Sequence, residues 1–338
     1  MKRRQVIVTV LLMALLAFTA WGNGQSEDTA AEGGIGEIKL TYAELNPDGH
    51  PMADVGYFFA DKVEELSGGA MTIEVYTSGV LGSEKESMQA LQTGGGSVDI
   101  FRGNTNSLGD YNLNKLSLFS MPYTFRDRAH LWNVLESEIG TSYLSEPQEA
   151  GSRMVGLFYT EEGARHFFTS KEISGMDDLD GFKMRVPKTQ VMSDTVKALG
   201  IEPTPIDWGE LYTSLQTGVV DGAEQPFAGY YNNKFYEVSP YYILDGHTYS
   251  PGIVLMSEAV WDKLSPVQQE VLTEASAAAQ AFCKENAAKV DAETIEEIRK
   301  VATVIEVKDM QAVQDATASV VAKYIEGLED EMAAIKAK

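Results

Sequence analysis

From Pro266 to about Ala302 nothing in the sequence interrupts a helix. The run opens with Ser265 as a helix cap, Pro266 at the first helical position and Gln268 three residues after the cap. Together these signals start a helix at one defined place. At 1.5 Å per residue the run would be roughly 55 Å long, longer than a single domain of ordinary size is wide. The spacing therefore predicts a helix that runs across two domains.

The rest of the chain alternates strand and helix. Strands are expected at 37–45, 71–76, 98–102, 153–159, 164–170 and 182–187. A helix opens at Pro51, carries Met52, Val55, Phe58, Phe59, Val63 and Leu66 on one stripe, and stops at Gly68–Gly69. The stretch 126–144 reads as helical, 188–200 as a helix stopped by Gly200, 207–218 as a short helix capped by Asp207, and about the last 30 residues as one amphipathic helix. Such alternation implies mainly parallel sheets covered by helices. The expected fold is α/β, with two domains. The first comprises 37–162 plus 251–285. The second comprises 163–250 plus 286–338 and carries the C-terminal helices.

The N-terminus reads MKRRQ and then an apolar run of about 16 residues, the pattern of a secretory signal peptide. Ala20 and Gly22 put small residues at −3 and −1, so residues 1–22 are expected to be removed. The alternative is an uncleaved anchor, but the run is short for a membrane span. Residues 23–36 are small, polar and acidic and read as a disordered leader. The mature chain is thus expected outside the cytoplasm, in the periplasm. Cys283 is the only cysteine, which leaves no internal disulfide.

The formal charge of −23 argues against nucleic acid or an anionic membrane as a partner. An acidic chain that binds an anion must build a local positive site against its own field. The four histidines, His50, His130, His166 and His247, are far apart and have no metal-ligand spacing. No nucleophile motif, phosphate loop or dinucleotide fingerprint is present. MDDLDG (176–181) reads as a turn, since Met176 and Pro187 fail at the two ends of a calcium loop. Glu161–Glu162 reads as a solvated charge pair, not a catalytic pair. The chain is expected to be neither an enzyme nor a cofactor or metal carrier.

FKMRVP (182–187) alternates apolar Phe182, Met184 and Val186 with Lys183 and Arg185, and Pro187 then removes a backbone donor. The strand holds Arg185 at its end. Taken alone, that arginine reads as a surface ion pair.

Further motifs change this reading. Arg185-Val186-Pro187 is followed by Gly200 to Pro205 (GIEPTP), Trp208 to Gln216 (WGELYTSLQ), Asp221 to Glu224 (DGAE) and Lys234 to Val238 (KFYEV). In this order they resemble the DctP-type solute-binding proteins of tripartite ATP-independent periplasmic (TRAP) transporters. SGGAMTIEVY, SGVLGSEKESMQALQTG and LSLFSMPYTF look similar to that family too, so the resemblance covers nearly the whole mature chain. It implies a periplasmic-binding-protein-like fold, with two α/β domains, a hinged cleft and a long helix crossing both. It also implies a small carboxylate ligand, handed to the small and large membrane subunits of a TRAP permease. The protein is expected to act as a monomer.

By the same resemblance Arg185 is the clamp for the ligand carboxylate, a role suited to the parallel donors of a guanidinium. Arg165 matches a second arginine near that carboxylate, with a structural ion pair as its alternative use. Gln225 stands where many members have asparagine. Trp208 matches an aromatic position of the cleft, or else packs in the core. In the first domain Glu44, Asn46, Glu84, Arg102 and Asn104 are candidates to read the rest of the ligand, or else helix caps and turn residues. A committed Arg102 would put three arginines around one small molecule and favour a dicarboxylate, such as a C4-dicarboxylate, or a highly oxygenated acid. Glu44, Asn46 and Asn104 would suit the hydroxyls of a sugar acid such as a hexuronate or aldonate, and an apolar wall around Trp208 a keto acid. A sensor subunit for a membrane receptor could use the same scaffold.

Overall fold

The computed structural model describes residues 35–338; the expected signal peptide and nearly all of the leader lie outside them. Four strands come first: β1 (Ile38–Ala43), β2 (Met71–Tyr76), β3 (Ile100–Asn104) and β4 (Met154–Thr160). Six more follow: β5 (Ala164–Thr169), β6 (Lys183–Val186), β7 (Glu202–Pro205), β8 (Gly222–Gln225), β9 (Tyr241–Leu244) and β10 (Thr248–Tyr249). β11 (Gly252–Ser257) and β12 (Thr303–Glu306) complete the set. One sheet has the order β2-β1-β3-β11-β4; the other is β12-β9-β5-β8-β6-β7, with β10 paired to β5. The chain therefore starts in one lobe, crosses to the second at 161–163, returns at 250–251 and leaves again within the long helix.

The sheets are mixed where the alternation predicts mainly parallel ones. β1 is parallel to β2 and β3, and β6 to β7 and β8. The exceptions are the strands that arrive from the opposite lobe. β11 is antiparallel to β3 and β4, and β5 to β8 and β9. A strand entering from the cleft must run against neighbours whose carboxyl ends point into it.

The long helix, Pro266–Val301, has 36 residues and begins with the expected capping box of Ser265 and Gln268. Its first half buries Val271, Leu272, Ala275, Ala279 and Cys283 in the core of the first lobe, and Ile298 joins the core of the second. Phe282 stacks on Phe58 of the first helix, Pro51–Leu66, with centroids 4.3 Å apart. Midway it passes the crossing at 161–163. There Gly163 has φ +90°, and a β-carbon on it would stand 2.5 Å from Asp291 Oδ2. Glycine lets the crossing backbone lie against the helix.

Three helical segments depart from the sequence expectation. The stretch 126–144 is two helices, Arg128–Leu135 and Glu138–Leu144, because Ser137 caps the second. Asp207 caps nothing; its carboxylate lies 2.5 Å from Lys188 Nζ, and the segment starts as a 3-10 turn. The C-terminus is two helices, Met310–Tyr324 and Glu329–Ala337, separated at Gly327 (φ +78°). The expected boundary puts the last of these in the second lobe, yet it packs on elements of the first. Arg126 Nη1 donates to Lys336 O at 2.8 Å, and His130 Nε2 lies 2.9 Å from Ile335 O.

Candidate ligand site

Carboxyl ends of strands from both lobes meet at the cleft. β6 delivers Arg185 there, with Met184 and Val186 buried around it. Arg185 is 3% exposed. Its Nε donates to Ile206 O at 2.8 Å, and its Cζ lies 5.9 Å from the Trp208 ring centre. Among the described residues no carboxylate pairs with it, and its Nη atoms make no hydrogen bond. Burial brings its pKa down to about 10; Glu224 opposes the shift and the like charge of Arg165 adds to it. A buried guanidinium is normally paired. This one is left as a fork facing an open volume.

β5 carries Arg165, and β8 carries Glu224 and Gln225. Glu224 accepts from Arg165 Nε, and from Nη2 at 2.9 Å. Behind it His247 Nε2 lies 3.6 Å from Glu224 Oε2, while His247 Nδ1 lies 2.6 Å from Asp245 Oδ2. All four side chains are buried. Against burial, which would raise it, Arg165 and His247 hold Glu224 at a pKa of about 2. Against burial, which would lower it, Asp245 and Glu224 lift His247 to about 9. The result is a buried chain of alternating charge that fixes Arg165 edge-on.

In the first lobe Arg102 is paired twice. Its Nε and Nη2 donate to Glu44 at 2.7 and 3.0 Å, and its Nη1 to Glu162 Oε1 at 2.6 Å. Glu44 is fully buried and also accepts from the backbone and side-chain nitrogens of Asn46, each at 2.9 Å. Burial alone would raise the Glu44 pKa, but Arg102 and Asn46 hold it below the usual carboxylate range. Arg102 itself is raised, its two carboxylates overcoming the burial.

One cavity gathers most of the expected residues. Asn46, Glu84, Arg102 and Asn104 line it from the first lobe, and Arg165, Arg185, Trp208 and Gln225 from the second. Glu44 lies behind Arg102 and meets the cavity only through it. Asn104 serves largely as a turn residue: it accepts from Asn106 N at 3.0 Å and donates to Ser250 O at 3.0 Å. Glu84 accepts from Ser107 Oγ. Trp208 packs edge-on against Phe235, with centroids 5.7 Å apart. The inner cavity opens into a cleft of about 970 Å³ that shares Glu84, Arg185 and Trp208 with it, room for a ligand of drug-like size.

Two further lining residues, Asn106 and Glu162, were not legible in the sequence. The expected solvated pair Glu161–Glu162 is instead two buried carboxylates turned opposite ways. Glu161 accepts from Arg128 Nε at 2.9 Å and Trp132 Nε1 at 3.3 Å, and Glu162 takes Arg102. Adjacent residues on an extended crossing must face apart, but only the fold supplies an arginine on each side. A second, mainly apolar cavity beside the long helix is edged by Asp54, Glu161, Glu162 and Asp291; that charge suits no anion.

The chain matches the family "Bacterial extracellular solute-binding protein, family 7" over residues 42–327. It is 33% identical over 234 residues to a solute-binding protein of Verminephrobacter eiseniae, covering 69% of this chain and 68% of that one. It is 31% identical to a TRAP periplasmic solute-binding protein of Pseudomonas putida F1 solved with bound D-glucuronate, with a TM-score of 0.85, covering 89% of this chain and 97% of that one. A third protein of this kind, from Sulfurospirillum deleyianum and solved with bound succinate, is 26% identical with a TM-score of 0.83, covering 90% and 99%.

Proposed function

The chain belongs to bacterial extracellular solute-binding protein family 7, the DctP family of TRAP transporters, and from that premise we propose that it captures a hydroxylated monocarboxylic acid, a hexuronate or aldonate, and delivers it to a TRAP permease. The family is one of binding and transport proteins acting outside the cytoplasm, not of catalysts. The observation that carries the ligand reading is the buried Arg185 fork without a carboxylate partner. A ligand carboxylate would supply the missing charge and take two parallel hydrogen bonds. Gln225 and the Trp208 face stand beside that position. The same cavity carries acceptors, namely Glu84, Glu162 and the Asn46 amide oxygen, which suit ligand hydroxyls.

Hinge closure over one ligand, of the kind two-lobed binding proteins use, would remove this pair from water. The membrane partners would be the small and large permease subunits, and the protein would act as a monomer after cleavage of its signal peptide. A thermal-shift panel of hexuronates, aldonates, C4-dicarboxylates and keto acids tests the reading on residues 23–338. Binding to the native state alone adds about 4 kcal/mol of stability at a thousandfold excess over Kd. Stabilisation by sugar acids is the expected result. Silence across the panel with folded protein would overturn it.

A further inference from the structure

We infer that Glu162 is a specificity-determining residue of the cavity, admitting acids with one carboxylate and turning away those with two. The inference rests on the acid-binding reading above. Three guanidinium groups line the cavity, and the pairing of each decides what it can accept. Arg165 is taken by Glu224. Arg102 is taken on its Nε–Nη2 edge by Glu44 and on Nη1 by Glu162 Oε1 at 2.6 Å. Arg185 alone has no carboxylate partner, and of the three it is the one suited to a ligand's negative charge.

The Glu162 side chain is 7% exposed, and it lines the cavity with Arg102 and Asn106. Its Oε2 makes no hydrogen bond among the described residues. A ligand group that reaches Glu162 meets a carboxylate oxygen with no other partner. A hydroxyl there can donate to Oε2. A second carboxylate would meet a like charge in a low-dielectric pocket, with the nearby Arg102 already occupied. The device is repulsive as well as attractive, as specificity commonly requires. The other Glu162 oxygen is held by Arg102 Nη1 at 2.6 Å. Glu162→Gln keeps the length and the oxygen facing Arg102 but removes the repelling charge and leaves Arg102 with Glu44 alone.

Calorimetric titration with two matched pairs tests this. D-gluconate and D-glucarate share the hydroxyls on C2 to C5 and differ at C6, an alcohol in one and a carboxylate in the other; succinamate and succinate differ by an amide against a carboxylate, without hydroxyls. In the wild type the one-carboxylate member of a pair should bind at least tenfold tighter. In Glu162→Gln that preference should shrink at least tenfold or reverse. Glu162→Ala should move it in the same direction, and the wild-type pairs decide even if neither variant folds. Equal binding within the pairs by the wild type, or an unchanged preference in a folded variant, would overturn the inference and leave the acid-binding reading intact. A wild type that binds none of these acids, nor any monocarboxylate of the wider panel, would overturn both.

Discussion

Glu224 grips Arg165 along one edge of the guanidinium, each carboxylate oxygen accepting one hydrogen bond. That pairing separates the two arginines of the second lobe by role. Arg165 is neutralised from inside the protein, and Arg185 is not. A chain with a formal charge of −23 does not need an accumulation of cations to attract an anion. It needs one cation that its own carboxylates do not pair with.

Arg185→Lys should weaken acid binding at least tenfold in a calorimetric titration, because an ammonium keeps the charge but loses the two-pronged geometry. Arg185→Ala should abolish measurable binding without lowering the melting temperature of the unliganded protein. Truncation removes a buried cation that has no internal carboxylate, so little native stability is lost. A marked fall in that melting temperature would mean that Arg185 serves the fold.

Glu224→Gln should behave in the opposite way. It leaves Arg165 and His247 buried with their shared partner uncharged, and breaking a buried pair from one side costs about 3–5 kcal/mol. Urea unfolding of the unliganded variant reads this directly. A loss near zero would show that the pair is dispensable to folding.

His247 gives the fold a pH dependence whose sign is fixed by its partners. Its folded pKa, about 9, lies above its ordinary value of 6.5. The native state therefore holds the proton longer than the unfolded chain. The contribution is fully present below pH 6.5 and is lost as pH rises through about 9. In His247→Gln the stability deficit relative to wild type should be larger at pH 6 than at pH 9.5. A deficit that does not change with pH would mean that the imidazole is neutral in the native protein.

The parts of this site that the sequence disclosed were those held by local pattern. The strand 183–186, its stop at Pro187 and the capping box at Ser265 all follow from neighbouring residues, and the Arg185 position follows from a motif of contiguous residues. What stayed hidden depends on pairing across distance. Arg102 and Glu44 were both named as candidates for the cleft, but nothing in either segment says that each is the other's partner 58 positions away. Glu162 was read as solvated because two adjacent acids ordinarily are. The mixed sheets escaped for a similar reason. Strand direction depends on which lobe the chain comes from, and alternation of strand and helix carries no record of the crossings at 161–163 and 250–251.

The crossing between the lobes offers the last prediction. Arg128 of the first lobe bonds both oxygens of Glu161 at 2.9 Å and also reaches Asp291 midway along the long helix. Burial raises the Asp291 pKa to about 6 from an ordinary 3.8, with Arg128 only partly opposing it. Between those values the native state binds more protons than the unfolded chain, so this group makes stability fall as pH rises. Asp291→Asn removes that slope. Relative to wild type, the variant should be more stable at pH 6.5 than at pH 4, measured by urea unfolding at both. Gly163→Ala should be destabilising by about 1–3 kcal/mol at either pH, since it forces a side chain onto positive φ and into the Asp291 carboxylate. In the double variant Gly163→Ala, Asp291→Gly the contact part of that loss should be recovered and the backbone part should remain. Full additivity of the two single changes would show that crossing and helix do not constrain each other there.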